Sequence, residues 1–292
     1  MHRPTSPAPS AAARTGRLRP ADVARHYDDL DPYYRALWGE HVHHGLWERG
    51  TTSLRDATEN LIRHVVRRGD IRAGASVCDV GSGYGATARF LARELSAHVT
   101  AVTVSPLQHA AALAAPAVEP APDYRLGDFL ESDLPSGSFD AAIAVESLSH
   151  MPDLSATLRE VRRVLRPGAP LVACVWLAGD DVSGWREHLL RDPIRREGRL
   201  ARLSTAGELE VAFRDAGFAL EAFDDVSRRV RRTWTVVVRR VAARLVRDPD
   251  ARRLVAAGGE AVFARTVGRI WLAYRVGAMR YGVFTVRNAG SP

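Results

Sequence analysis

The feature that most constrains the fold is a glycine-dense run, VCDVGSGYG, at residues 77–85. Its apolar start predicts a short buried strand, and Gly81, Gly83 and Gly85 predict a tight turn. Glycine permits a positive φ and lets a ligand approach the main chain closely. The next segment, residues 86–95, predicts a helix whose N-terminus points at that ligand, where free N–H groups and the helix dipole favour negative charge.

Asp79 restricts what that ligand can be. Turns that cradle a pyrophosphate run G-x-G-x-x-G, whereas this run is D-x-G-x-G-x-G, with the acid two residues before the first glycine. A carboxylate there repels a pyrophosphate but accepts from an ammonium group or, through water, from a ribose. A ligand with an amino-acid end therefore fits, with its carboxylate at the helix N-terminus.

The run 77–85 resembles the first motif of class I S-adenosylmethionine-dependent methyltransferases, and later segments agree with that family in order and spacing. The resemblance implies S-adenosyl-L-methionine as cofactor, contacted by Asp79, Gly81 and Gly83. It also implies an α/β fold, a Rossmann-like seven-stranded sheet with an N-terminal helical lid and a helical insertion before the last strand. The alternative is the glycine-rich turn of another α/β enzyme.

Residues 26–47 gather aromatic and histidine side chains before the first strand. The histidines could bind a metal, but the segment offers no cysteine and no ordered carboxylate as a further ligand, so no metal is predicted. Aromatic faces suit a sulfonium cation, which favours a lid over the cofactor, although plain packing also explains most of the aromatics. The segment resembles the lid of the subgroup related to γ-tocopherol C-methyltransferases and, more distantly, cyclopropane fatty acid synthases. That resemblance places Tyr27, His43, His44 and Gly45 near the cofactor.

Two later segments carry further cofactor contacts implied by the family. The run VTVSPLQ at 102–108 matches the subgroup pattern V-T-x-S-x-x-Q. Thr103 stands where many relatives place a ribose-binding acid, Ser105 would cap the next helix, and Gln108 would reach the ribose or adenine. Asp128 would accept from the adenine amino group and Phe129 would pack on its ring, unless Asp128 is only a surface turn acid.

Glu146 and His150 follow the fourth predicted strand, residues 141–145. Ligands of open α/β sheets bind outside the carboxyl ends of the strands, so these two side chains are the candidate catalytic residues. Each also has a plain interpretation: Glu146 holds the cofactor or a nearby arginine, and His150 caps a helix.

The chain divides into five predicted parts. These are a disordered tail (1–20), an N-terminal helical lid (21–70), a cofactor-binding α/β core (71–226), a helical cap over an acceptor pocket (227–280) and a last core strand (281–287). The cap is rich in arginine. A solvated helix face explains most of these arginines; a grip on an anionic acceptor or nucleic acid is the alternative.

Composition adds few constraints. The formal charge is +7, and all 41 basic residues are arginine, which indicates codon bias more than a nucleic-acid partner. Cys78 and Cys174 lie in apolar runs and predict reduced core thiols, hence an intracellular, cytoplasmic protein. No apolar run approaches the ~20 residues that span a bilayer.

The sequence thus predicts an enzyme that methylates a hydrophobic small molecule of phenolic, isoprenoid or indole type. The residues do not decide between carbon, nitrogen and oxygen; carbon is slightly favoured, and a homodimer is considered. A nucleic-acid partner is not expected, because the N/D-P-P-Y/F run of amino-methylating enzymes is missing after the fourth strand. A nucleic-acid methyltransferase, or the same fold catalysing a cyclisation without methyl transfer, remains the alternative.

Overall fold

A computed structural model describes residues 18–180, 182, 184–248 and 261–290. Its strands are β1 (Ser76–Val80), β2 (His98–Thr103), β3 (Asp123–Leu126), β4 (Ala141–Val145), β5 (Pro170–Ala178), β6 (Phe218–Asp225) and β7 (Met279–Asn288). They form one sheet in the order β3-β2-β1-β4-β5-β7-β6. Only β7 runs antiparallel to its neighbours β5 and β6; the carboxyl ends of β1 to β5 therefore meet at one edge.

Helices cover both faces of this sheet. They are α1 (Pro20–Trp38), α2 (Leu54–Gly69), α3 (Ala86–Leu95), α4 (Pro106–Leu113), α5 (Leu154–Val164), α6 (Asp192–Glu197), α7 (Ala206–Asp215), α8 (Ser227–Val230), α9 (Arg232–Arg247) and α10 (Ala261–Arg275). One hydrophobic core joins the sheet to α2, α3, α9 and α10, and the second joins it to α5 and α7.

Burial on both faces explains the apolar character of the central strands. Successive strand residues point to opposite faces, and Val77 and Cys78 of β1 accordingly belong to different cores. A strand covered on both sides reads as a continuous apolar run rather than an alternating one. Cys78 and Cys174 are both buried and free.

Helix α1 is longer than the sequence predicts. The sequence predicts a first helix that Asp22 caps and that runs through Tyr27. In the structure Arg19 is the N-cap, Asp22 lies in the first turn, and α1 continues through Pro32 to Trp38. Proline removes one helical N–H and disfavours a helix interior. The second half of α1 nevertheless buries Leu37 and Trp38, and this packing outweighs the local cost.

The described parts of the segment before the last strand are largely helical, at residues 227–247 and 261–275, as expected, but the boundary with the last strand differs. Met279 and Arg280 were assigned to the helical cap and lie in β7 instead, where each pairs with a residue of β5. A π-helical turn at Glu187–Arg191 and helix α6 were not anticipated.

The predicted tail covers residues 1–20. Residues 1–17 lie outside the described part of the chain, and Pro20 begins α1. In the described ranges, no helix combines the length and apolar character that a membrane crossing requires.

Candidate active site

The glycine turn between β1 and α3 has the backbone conformation that its sequence suggests. Gly81, Gly83 and Gly85 have φ of +83°, +55° and +68°. A Cβ added at Gly81 would lie 2.4 Å from Cβ of Ser147, and one at Gly85 would lie 2.4 Å from the ring of Tyr124. A Cβ at Gly83 would meet nothing closer than 3.8 Å. Packing thus requires glycine at 81 and 85, whereas Gly83 borders more open space.

Asp79 carries an unsatisfied buried oxygen beside this turn. Its side chain is 2% exposed, and its Oδ2 has no hydrogen-bond partner among the described residues. Burial raises the pKa of Asp79 to about 7. The hydroxyl groups of Ser82 and Tyr124 are likewise buried without a partner in the described part of the chain. Since buried polar groups are normally hydrogen-bonded, these three side chains fit a ligand with a cationic end and several polar groups.

Helix α1 is fastened to three loops at the carboxyl edge of the sheet. The side-chain hydrogen bonds join Tyr27 to His150 (3.0 Å), Asp28 to Ser105 (2.5 Å) and Asp31 to Tyr84 (2.7 Å). Residues 27, 28 and 31 share one face of the helix. The predicted lid therefore lies against the glycine turn and the loops after β2 and β4.

The partners of His150 define its protonation. Its Nδ1 lies 3.1 Å from the carbonyl oxygen of Arg199, which can only accept, so Nδ1 carries the proton. Nε2 lies 3.0 Å from the Tyr27 hydroxyl and accepts from it. Burial lowers the pKa of His150, against the opposing effects of the Arg199 carbonyl and Glu146. His150 is therefore a neutral imidazole with a basic lone pair at the sheet edge.

The carboxylate of Glu146 accepts the hydrogen bonds at the centre of a buried network. Four groups donate to its carboxylate: the His44 backbone N–H (2.6 Å), His44 Nδ1 (2.9 Å), Trp176 Nε1 (2.6 Å) and the Tyr281 hydroxyl (2.8 Å). Burial alone would raise the pKa of Glu146, but His44, His43 and these hydrogen bonds bring it to about 2. Its backbone is left-handed, with φ +60°. This geometry suits an anchoring anion better than a base.

The His-His-Gly run joins the lid to the rest of the fold. His44 Nε2 accepts from Trp234 Nε1 at 2.6 Å, and His43 Nδ1 donates to the His44 carbonyl at 2.8 Å. The Gly45 N–H donates to Thr233 of α9 at 2.9 Å. A Cβ at Gly45 would lie 2.5 Å from Cβ of Ala57 in α2, which explains glycine there by packing. The cofactor contacts of His43, His44 and Gly45 stay predictions.

The run after β2 is ordered beside the glycine turn. Ser105 caps α4 by accepting from the Gln108 N–H at 3.0 Å, as expected. Thr103 Oγ1 donates to Gln108 Oε1 at 3.2 Å, and the Gln108 amide is the nearest group to the Cβ position of Gly83. The three side chains are therefore grouped where a nucleoside contact was predicted; that contact itself stays a prediction.

Asp128 and Phe129 form the turn after β3. Asp128 accepts from the Leu130 N–H at 3.0 Å and caps a short 3-10 turn. Phe129 is 2% exposed and packs in the core that holds α5 and α7. Both interactions support the local structure, and the predicted adenine contacts stay predictions.

Several residues of this site were not anticipated. They are Asp28, Asp31 and Tyr84 of the lid contacts, and Trp176, Trp234 and Tyr281 around His44 and Glu146. The acids of residues 26–31 (HYDDLD) were the available signal for Asp28 and Asp31. The second group comes from β5, α9 and β7, which meet only in the folded chain. No cluster of three or more metal-ligating side chains occurs in the ranges that the structure describes.

Comparison with known proteins identifies the class. A family model described as "Methyltransferase domain" matches residues 78–173. Methyltransferase GfsG of Streptomyces halstedii is 32% identical over 228 residues, which cover 74% of this chain and 80% of that protein. The chain belongs to the class I S-adenosylmethionine-dependent methyltransferases. The predicted class, cofactor and seven-stranded fold are thereby confirmed.

Two further proteins resemble almost the whole chain. The 27-O-demethylrifamycin SV methyltransferase of Amycolatopsis mediterranei is 29% identical over 282 residues, covering 92% of this chain and 97% of that protein. The crystal structure of the [4+2]-cyclase SpnF has a TM-score of 0.75 at 27% identity, covering 92% of this chain and 96% of that one. The resemblance to these two proteins extends well beyond residues 78–173.

Proposed function

We propose that this enzyme methylates a hydroxyl group of a hydrophobic small molecule, with His150 as the base. The observation that carries the proposal is the 3.0 Å contact between the Tyr27 hydroxyl and the unprotonated Nε2 of His150. A hydroxyl group thus already donates a hydrogen bond to a neutral imidazole at the sheet edge where ligands of such folds bind. The proposal replaces the slight preference for a carbon acceptor.

The residues around the glycine turn would hold the cofactor. S-Adenosylmethionine, when bound, supplies an electrophilic methyl group on a sulfonium centre. Asp79 would pair with the cationic end, and the N-terminus of α3 would take the carboxylate. Thr103, Gln108 and Asp128 are the proposed contacts to the nucleoside.

His150 would then act as a general base. The acceptor hydroxyl would take the place of the Tyr27 hydroxyl at Nε2 and give its proton to that nitrogen. Its oxygen would bond to the methyl carbon as the carbon–sulfur bond breaks, which would leave S-adenosylhomocysteine. The Arg199 carbonyl keeps Nδ1–H in place and stabilises the imidazolium that forms. Positioned general bases contribute about 10²- to 10⁴-fold in rate.

Glu146 is proposed to position rather than to react. All four of its donors belong to other elements, and they hold the lid residue His44 against β5 and β7. A carboxylate with a pKa of about 2 is a weak base at neutral pH.

The aromatic side chains near Glu146 favour a hydrophobic acceptor. Trp176, Trp234 and Tyr274 all contact the His44 ring, with centroid separations of 5.1–5.4 Å. Tyr274 is buried, and its hydroxyl has no partner among the described residues. The relative from Amycolatopsis mediterranei is named for methylation at oxygen, which supports the same choice of atom.

The test uses labelled S-adenosylmethionine and an extract of the host, followed by product analysis. The expected result is label in the organic phase, in a methyl ether one methylene heavier than its precursor. His150→Gln should lower kcat at least about 100-fold while the affinity for S-adenosylhomocysteine stays unchanged. Label in acid-precipitable material, or a new carbon–methyl bond, would contradict the proposal.

A cyclisation without methyl transfer is the second candidate. It is favoured by the resemblance to the [4+2]-cyclase SpnF over 92% of the chain. The two candidates share the cofactor site but differ in product mass. A cyclase would return the cofactor unchanged and give a product isomeric with its substrate.

A further inference from the structure

Helices α8 and α9 concentrate positive charge on one outer surface. Residues 226–247 contain eight arginines and no acidic residue. Of these, Arg228, Arg231, Arg232 and Arg239 are all exposed. We call these four residues the basic ridge.

The charge of the basic ridge is not neutralised within the described chain. Elsewhere on these helices, Arg229 lies 3.6 Å from Glu48 and Arg244 lies 3.9 Å from Asp248. In the described ranges, by contrast, no carboxylate comes within ion-pair distance of the basic ridge. Like charges that lie close together without partners repel one another and lower the stability of the fold. A ligand of opposite charge is the simplest way to offset this repulsion.

The basic ridge lies opposite the packed side of α9. Arg232 and Arg239 are seven residues apart, about two helical turns, and so share one line along the helix. Trp234 and Val237 occupy the inner side and are 5% and 0% exposed. Arg232 and Arg239 therefore lie on the outer side of α9, where the Arg232 guanidinium rests 4.4 Å from the ring centroid of Trp47.

Exposed apolar side chains occur on α9 and on α10, which packs beside it. Val246 of α9 is 77% exposed, and Val262 and Leu272 of α10 are 43% and 37% exposed. Arginine mixed with exposed aliphatic side chains is typical of helices that lie in a membrane interface. A nucleic-acid surface would favour arginine with polar or stacking aromatic groups instead.

We propose that the basic ridge docks the enzyme on an anionic phospholipid bilayer, with the exposed apolar side chains of α9 and α10 entering the headgroup region. The enzyme would then sit where hydrophobic molecules accumulate. Binding to lipid does not depend on which atom is methylated, so this inference stands apart from the proposed reaction.

The test measures sedimentation with sucrose-loaded vesicles of pure phosphatidylcholine, and with vesicles of equal parts phosphatidylcholine and phosphatidylglycerol. We expect binding to the anionic vesicles alone, weakening with added salt. Each juxtamembrane arginine contributes about fivefold to such binding. Arg231→Gln combined with Arg239→Gln should therefore weaken it about 25-fold.

A matched control removes the same charge elsewhere. Arg159 of α5 and Arg214 of α7 are exposed, and their helices pack on the other face of the sheet. Arg159→Gln combined with Arg214→Gln should bind anionic vesicles as the unchanged protein does. Equal affinity for S-adenosylhomocysteine in both double variants verifies that they are folded.

Three results would overturn the proposal. They are no binding to anionic vesicles, equal binding to neutral ones, and an equal loss in the control variant. A DNA duplex that binds more tightly than anionic vesicles in the same buffer would assign the basic ridge to nucleic acid instead.

Discussion

The hydroxyl of Tyr84 donates to Asp31 over 2.7 Å and so connects the glycine turn to helix α1. The same Asp31 oxygen accepts from Arg35 Nε at 2.8 Å, which holds the carboxylate in place. Because Tyr84 lies between Gly83 and Gly85, the position of the lid and the shape of the turn are coupled.

Asp31→Asn should therefore weaken cofactor binding. Hydrogen bonds to charged groups contribute about 1.5–3 kcal/mol, so a roughly tenfold rise in the Kd of S-adenosylhomocysteine is expected, with faster dissociation. Calorimetry and stopped-flow release measure the two effects. Asp29→Asn, at an exposed position of the same helix, is the control; equal Kd values in both variants would show that the contact does not hold the lid.

Asp79 should make cofactor binding release protons. Its pKa is about 7 in the free protein because the group is buried; pairing with an ammonium group requires the carboxylate form. Below about pH 7 a proton must leave, and affinity should fall by up to tenfold per pH unit. Calorimetry near pH 6, in buffers of different ionisation enthalpy, measures this release. Asp79→Ala should abolish binding, and retained affinity would refute the assignment.

Substitutions at Gly81 and Gly83 should have different effects on stability and on cofactor binding. Alanine at Gly81 would place Cβ 2.4 Å from Cβ of Ser147, so Gly81→Ala should destabilise the fold by about 3 kcal/mol through overpacking and strain. Gly83→Ala has room and should lose only about 1–2 kcal/mol from its left-handed backbone. Gly83→Val should nevertheless abolish cofactor binding while the protein stays folded. Thermal denaturation paired with calorimetry separates the two; matching stability losses would argue against this distinction.

Glu146→Gln tests the anchoring role. A neutral amide cannot accept from all four donors, so we expect about 3 kcal/mol lower unfolding free energy. Tyr281→Phe removes one donor and should cost about 1–1.5 kcal/mol. Urea denaturation gives both values. If Glu146→Gln folds with normal stability and loses kcat alone, Glu146 is the base after all.

Buried histidines should make the protein acid-sensitive. Burial lowers the pKa of His26 to about 3 and also lowers the pKa values of His41, His43 and His150. Below about pH 6.5 the unfolded chain then binds more protons than the folded one, so the unfolding free energy falls as the pH decreases. Above that pH the stability contributed by the neutral histidines is fully present. Denaturation midpoints between about pH 7 and 4 measure the slope. His43→Gln should reduce it, whereas substitution of the exposed His98 serves as the control.

Local patterns predicted much of the core. β4 spans residues 141–145 as expected, because a short uninterrupted apolar run is typical of a strand that is buried on both faces of a sheet. The glycine turn was predictable because its backbone conformation depends on adjacent residues alone. Ser105 was likewise predicted as a helix cap from the residues that follow it.

Long-range contacts were beyond this kind of prediction. Glu146 is surrounded by His44, Trp176 and Tyr281, which lie on the lid, β5 and β7. Nothing in the residues near Glu146 indicates that four donors converge on it. The length of α1 was underestimated for a related reason, since the packing of Leu37 and Trp38 is not evident from the local pattern.

The position of β7 between β5 and β6 imposes an order on folding. β6 is synthesised earlier, yet its backbone hydrogen bonds to the sheet all go to β7. Until β7 is made and inserted, β5 presents an open edge and β6 cannot join. The first five strands can pair as they emerge, but closure of the sheet waits for a strand formed more than fifty residues after β6. Aggregation of incomplete chains should therefore begin at the exposed edge of β5.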